Sequence, residues 1–299
     1  MINFMKYRFL YFFISALVIV PGIFSLVAWG LKPGIDFIGG TELELQVGNQ
    51  ENQGISTDLL NQSMASASAG LQFTIDEEKQ NTFLIKSQPM EQEKKNAILT
   101  AIKEKFPSTK ELRYETVGPV LGRELLVKTL TALILAAVGI TFYIAYRFRS
   151  LKYGISAVLA MLHDSMVVIG SFSLLGHFIG IEVDTLFVTA LLTILSFSVH
   201  DTIVVYDRIR EIAKKNSSTP YHDIVNKAVT ETLSRSINNS MTIIFALLAL
   251  WLLGGETIRW FVFALLIGTI TGTYSSTFTA APILVVWTQL AARKNKRKI

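Results

Sequence analysis

Long apolar runs separated by short charged links occupy most of this chain, and one long polar interval interrupts them. Six runs approach or exceed the roughly 20 residues that a helix needs to cross about 30 Å of hydrocarbon. They lie near 9–31, 125–146, 153–176, 184–206, 235–254 and 259–290. The first is longer than the roughly 7–15-residue apolar core of a signal peptide, and no small-x-small cleavage site precedes Gly34, so an uncleaved span is expected.

The polar interval from Pro33 to about Arg123 changes period. Leu43, Leu45 and Val47 alternate within Thr41–Val47, the mark of a half-buried strand. A short helix around Ser56–Ser68, strands at Leu71–Asp76 and Thr82–Ser87, a helix at Glu91–Phe106 and a strand at Glu111–Val117 follow. The pattern predicts an α-helical polytopic membrane protein of six transmembrane helices. An α+β, ferredoxin-like (βαββαβ) extracytoplasmic domain is inserted between helices 1 and 2. The expected layout is 1–32 for the N-terminus and first span, 33–123 for the outer domain, 124–292 for the remaining bundle and 293–299 for a basic tail. A cytoplasmic connector covers about 207–234, either solvated or lying on the membrane surface.

Composition agrees: 51% of residues are hydrophobic and 17% charged, against roughly half and a quarter in soluble domains. Cysteine is absent, which excludes disulfides and thiolate metal sites. The net charge of +5 reflects topology signals, since no nucleic-acid-binding motif accompanies it. Lys6 and Arg8, then Arg147, Arg149 and Lys152, then Arg208, Arg210, Lys214, Lys215 and Lys227, and finally the tail Arg293–Lys298 all fall on one side of six alternating spans. The positive-inside rule puts that side, with both termini, in the cytoplasm. No Walker-type, HExxH or GxSxG pattern is present, so no hydrolase activity, cofactor or metal site is expected.

Against this apolar background a few polar residues stand out. Asp201 lies about a turn and a half inside the cytoplasmic end of the fourth run. A charge at mid-membrane costs at least about 2.5–3.5 kcal/mol, so such an acid either serves an ion path or forms a structural ion pair. Arg235 opens the fifth run at a similar depth and is the natural partner, or else a snorkelling topology residue. Asn238, Asn239 and Thr242 continue from it at i+3, i+4 and i+7, one polar stripe on one helix face. His163 and Asp164 sit near the centre of the third run and require a partner. His200 adjoins Asp201, but neighbouring helical residues point about 100° apart and need not share a site. Gly268 and Gly272 form a GxxxG pair suited to close helix packing, and Pro282 is expected to kink the sixth run.

The segment Asp201-Thr202-Ile203-Val204-Val205-Tyr206-Asp207-Arg208-Ile209-Arg210-Glu211 resembles the DT-x-VV-[FY]-DRIRE signature of SecF proteins, of the SecD/SecF family within the RND-like superfamily. Other patches agree in order along nearly the whole chain: Gly34-Ile35-Asp36-Phe37 with Gly39-Gly40, Val117-Gly118-Pro119 with Gly122-Arg123-Glu124-Leu125, Thr232-Leu233-Ser234-Arg235-Ser236, and Gly272-Thr273-Tyr274-Ser275-Ser276.

This resemblance implies a subunit that couples a proton or sodium gradient to late polypeptide export. It implies as partners a SecD-like subunit, a SecYEG-type translocon, the unfolded polypeptide in transit and the lipid bilayer. It places the protein in the bacterial inner membrane, or a thylakoid membrane in a photosynthetic source. The family's transport-linked acid falls on Asp201 and its arginine on Arg235. His200 stands where the family usually has Asn, and Phe197 where Tyr is common. A half-size RND exporter of small molecules and a purely structural scaffold remain the alternatives.

Overall fold

The computed structural model describes residues 3–48, 55–64, 71–79, 81–216 and 218–296. A 3₁₀ turn at Phe4–Tyr7 leads into α1 (Arg8–Ala28), followed by α2 (Ile35–Ile38), β1 (Gly40–Gln46), α3 (Thr57–Met64), β2 (Phe73–Lys79), β3 (Thr82–Ser87), α4 (Gln92–Lys105) and β4 (Lys110–Val117). The chain then runs through α5 (Pro119–Phe148), α6 (Leu151–Ile179), α7 (Thr185–Lys215), α8 (Tyr221–Leu253), α9 (Glu256–Ser275), a π turn at Ser276–Ala280 and α10 (Ala281–Lys296). The predicted helix beyond Met64 and the last tail residues, 297–299, lie outside the described residues. Two compact units result: Pro33–Leu130, and Met1–Lys32 with Thr131–Ile299.

In the first unit the sheet order is β2-β3-β1-β4, antiparallel throughout. The period-2 pattern sends Leu43 and Leu45 of β1 and Phe83 and Ile85 of β3 to one face. There they meet Leu60 and Met64 of α3 and Ile98 and Ile102 of α4. Each fully buried side chain of this kind contributes about 1.5–3 kcal/mol. Their strand neighbours point the other way and carry charge: Lys86 pairs with Glu42 at 3.5 Å and Arg113 with Glu115 at 2.6 Å.

The second unit contains a tight centre and loose flanks. Among the described residues of the whole chain, six helical segments are long and apolar enough to cross a membrane: Phe4–Ala28, Pro119–Phe148 (which begins in the first unit), Leu151–Ile179, Thr185–Lys215, Tyr221–Leu253 and Glu256–Ala291. About half of the apolar window is buried in α6, α7 and α9, but none of it in α5 and little in α8. Small residues bring the central helices together. A methyl group on Gly268 would stand 2.2 Å from Ile194 Cγ1, so the GxxxG face of α9 lies directly on α7. Gly22 of α1 and Gly170 of α6 make a second close crossing, where a methyl on Gly170 would stand 2.6 Å from Gly22 Cα. Ser25 and Ser173 bond beside it at 2.7 Å.

Two expectations change. The connector 207–234 is neither an irregular link nor a separate surface helix. The fourth helix continues to Lys215, the fifth starts at Tyr221 rather than near 235, and only 216–220 joins them. The reason is helical-period apolar residues: Ile209 and Ile212 on one arm and Ile224, Val225, Ala228 and Val229 on the other bury in the main core with Tyr206 and Phe148. The interruption in the sixth segment is a π turn. Pro282 has no N–H to offer the carbonyl of Phe278, and the turn just before it takes up the misfit.

Candidate functional site

Asp184 starts α7 by accepting from Phe187 N at 2.7 Å, a cap worth about 1 kcal/mol. Nearly five turns on, α7 presents Asp201 to α8. Its Oδ2 accepts a hydrogen bond from Ser236 Oγ at 2.6 Å. The next contact along α8 is Ser240, whose hydroxyl accepts from Thr273 Oγ1 of α9 at 2.6 Å. A cavity of about 20 Å³, lined by Asp201, His200, Phe197, Asn239, Ser240 and Thr273 among others, lies at this three-helix contact. That is room for about one water. His200 and Asn239 line this cavity together with Asp201.

Arg235 lies elsewhere. It is exposed, and among the described residues it makes no ion pair with Asp201. It lines a second, open cavity of about 570 Å³ together with Val204, Asp207, Arg208, Glu211, Glu231 and Thr232. The acids of this cavity are already engaged: Asp207 with Arg147 at 2.9 Å, Glu231 with Arg208 at 2.5 Å, and Glu211 with Arg208 and with Lys215. The polar stripe Arg235, Asn238, Asn239 and Thr242 is on the exposed side of α8. The face that α8 buries is instead Thr232, Ser236 and Ser240. The i, i+4 spacing of hydroxyl residues in an apolar run was the sequence signal for it.

His163 and Asp164 form a third cluster. Asp164 is fully buried and joins three helices: Oδ2 accepts from Ser198 Oγ of α7 at 2.5 Å and from Ser275 Oγ of α9 at 2.6 Å, while Oδ1 lies 2.9 Å from His163 Nδ1. The serines were not singled out from the sequence, because a hydroxyl in a membrane helix usually bonds its own backbone, as Ser165 and Ser171 do here.

Within the first unit, two glycine-bearing segments meet. Gly39 has φ +79° and Gly40 φ +150°, conformations that side-chain-bearing residues rarely adopt. A methyl on Gly39 would stand 2.8 Å from Pro119 Cα, and one on Gly122 3.0 Å from Gly39 N. The chain thus leaves α2, enters β1 and starts α5 at a single glycine-lined crossing.

These same segments carry the family likeness. Residues 97–290 match the model described as "Protein export membrane protein SecD/SecF, C-terminal", and residues 24–51 match the "SecD/SecF GG Motif". The protein translocase subunit SecF of Thermobaculum terrenum is 43% identical over 96% of this chain and 94% of its own length. That of Synechocystis is 36% identical over 94% and 93%. The crystal structure of SecDF, a translocon-associated membrane protein from Thermus thermophilus, superposes with a TM-score of 0.82 at 31% identity. The match covers 96% of this chain but 39% of that one, so this chain spans about two fifths of SecDF. The glycine crossing, the membrane helices and these relatives together place the chain in the SecD/SecF family of protein-export membrane proteins, as a SecF-type translocase subunit.

Proposed function

We propose that this subunit couples a proton or sodium gradient to late polypeptide translocation, working with a SecD-like subunit at a SecYEG-type translocon. The observation that carries the reading is Asp201: a carboxylate inside an apolar span, held by one serine, beside a water-sized cavity, with a polar stripe at its flank. A stripe containing Arg235, Asn238 and Asn239 on the exposed side of a membrane helix would be costly against lipid. A second protein chain that covers it removes that cost, and the SecDF match supports a SecD-like chain in that place. The ion path runs through Asp201 and Arg235, with His200, Asn238 and Asn239 lining it and His163 and Asp164 as a secondary group. The open, charged cavity around Arg235 is its cytoplasmic mouth. The unit from 33 to about 123, whose sheet order and split β-α-β pairs support a ferredoxin-like fold, lies outside and engages the emerging polypeptide.

The test is Asp201→Asn in the intact complex. Gradient-stimulated export into inverted membrane vesicles should disappear while the complex still co-purifies. Collapsing the proton and sodium gradients separately identifies the ion. Undiminished gradient-dependent export in the variant would refute the reading.

A further inference from the structure

Asp164 is fully buried, yet among the described residues no lysine or arginine pairs with it. Its two oxygens are divided: Oδ2 takes both serine hydroxyls, and Oδ1 is left to His163 Nδ1 at 2.9 Å. The other ring nitrogen, His163 Nε2, is buried without a hydrogen-bond partner. Native structures rarely leave such an atom unused.

We propose that Asp164 and His163 form a proton-binding dyad, separate from Asp201, that takes up and releases one proton through His163 Nε2. With a single proton, on Nδ1, the pair is neutral imidazole and carboxylate and bears one negative charge. A hydronium ion that gives its proton to Nε2 leaves water behind and makes an imidazolium–carboxylate pair of zero net charge. Passing the Nδ1 proton across to Oδ1 keeps that count.

The surroundings favour both states. Charge-assisted hydrogen bonds from Ser198 and Ser275 support the carboxylate. The imidazolium supplies the cation that a buried acid otherwise lacks. The titratable group facing the dyad from α9 is Tyr274, its ring 6.4 Å from the imidazole. The Tyr274 hydroxyl is committed to the Tyr11 carbonyl at 3.0 Å. α7 contributes the uncharged Ser198.

The bonds to Oδ2 also give proton occupancy a mechanical outlet. Ser198 lies one turn before Asp201 on α7. Ser275 immediately precedes the π turn, whose last carbonyl, Ala280, accepts from the Tyr206 hydroxyl at 3.2 Å. Single π turns inside α-helices recur at functional sites. The use of the dyad in transport rests on the ion-coupling reading, whereas the site itself does not.

The test is NMR of isotope-labelled histidine in the full-length protein with its partner in lipid nanodiscs. Only four histidines are present, so His163→Gln assigns the signal by subtraction. Lowering the pH should add a single proton at His163 Nε2, seen as one change in its nitrogen signals. Asp164→Asn should abolish it, and Ser275→Ala, which removes one hydrogen bond to the carboxylate, should displace it along the pH axis. A His163 fixed in one neutral tautomer throughout, or a step unmoved by both variants, overturns the proposal. The readout needs neither gradient nor polypeptide. A titrating dyad in a complex whose export ignores Asp201→Asn would therefore keep the site and refute the ion-coupling reading, and a fixed His163 with Asp201-dependent export would do the reverse.

Discussion

Asp164 and Asp201 are both aspartates inside apolar helices, and the structure treats them oppositely. Asp164 is fully buried and accepts from two serines while facing a histidine. Asp201 is partly exposed, hydrogen-bonded among the described residues to Ser236 alone, and adjoins a cavity. Burial with both carboxylate oxygens engaged makes Asp164 a fastener of α6, α7 and α9 as well as an acid. Spare acceptor capacity at the edge of the bundle leaves Asp201 free to meet an ion or another chain. The same contrast runs through the helices, since α7 and α9 interlock through Gly268 while α5 and α8 leave most of their surface uncovered.

The contrast can be broken most severely at the buried acid. Asp164→Leu removes the buried acceptor of Ser198 and Ser275, at about 1–3 kcal/mol for a hydroxyl left unsatisfied, Ser275 retaining only its 3.3 Å contact with the Gly272 carbonyl. A clear drop in the thermal midpoint of the purified complex is expected, with Asp201→Asn near wild type in the same assay. Next in size is Gly268→Ala, whose methyl collides with Ile194. Overpacking of this kind costs about 1–3 kcal/mol, and adding Ile194→Val should recover part of the loss in a double-mutant cycle. Ser236→Ala removes one hydrogen bond to a partly exposed carboxylate. It should lower stability by no more than about 1.5 kcal/mol, yet alter gradient-dependent export more than Ser198→Ala does. The smallest effect belongs to Arg208→Ala in the exposed ion-pair network with Glu211 and Glu231. Its change in thermal midpoint should vanish in high salt, where surface charges are screened.

The depth of legibility differs between these regions for physical reasons. The six apolar segments, the strand alternation around Leu43 and Leu45, and the singular position of Asp201 were all readable, because hydrocarbon thickness and side-chain periodicity act on each segment locally. The continuation of α7 through Ile209 and Ile212 was less so, since charged neighbours masked its apolar period. The expected facing of Arg235 toward Asp201 did not appear. Two polar stripes share α8, and only packing selects the hydroxyl stripe, Thr232, Ser236 and Ser240, as the buried one.

From sequence alone came the membrane class, the placement of an acid where lipid would penalise it, and, through ordered signatures from Gly39-Gly40 to Tyr274, the family. These follow from local period, from charge in an apolar run and from residue identity. Only the tertiary structure decided that Asp164 and Asp201 occupy separate sites and that Ser198, Ser236 and Ser275 are their partners. It also decided that Gly39 and Gly122 meet at one crossing. Hydrogen bonds of a few ångströms between helices far apart in the chain depend on rotation and close approach, which no single segment encodes.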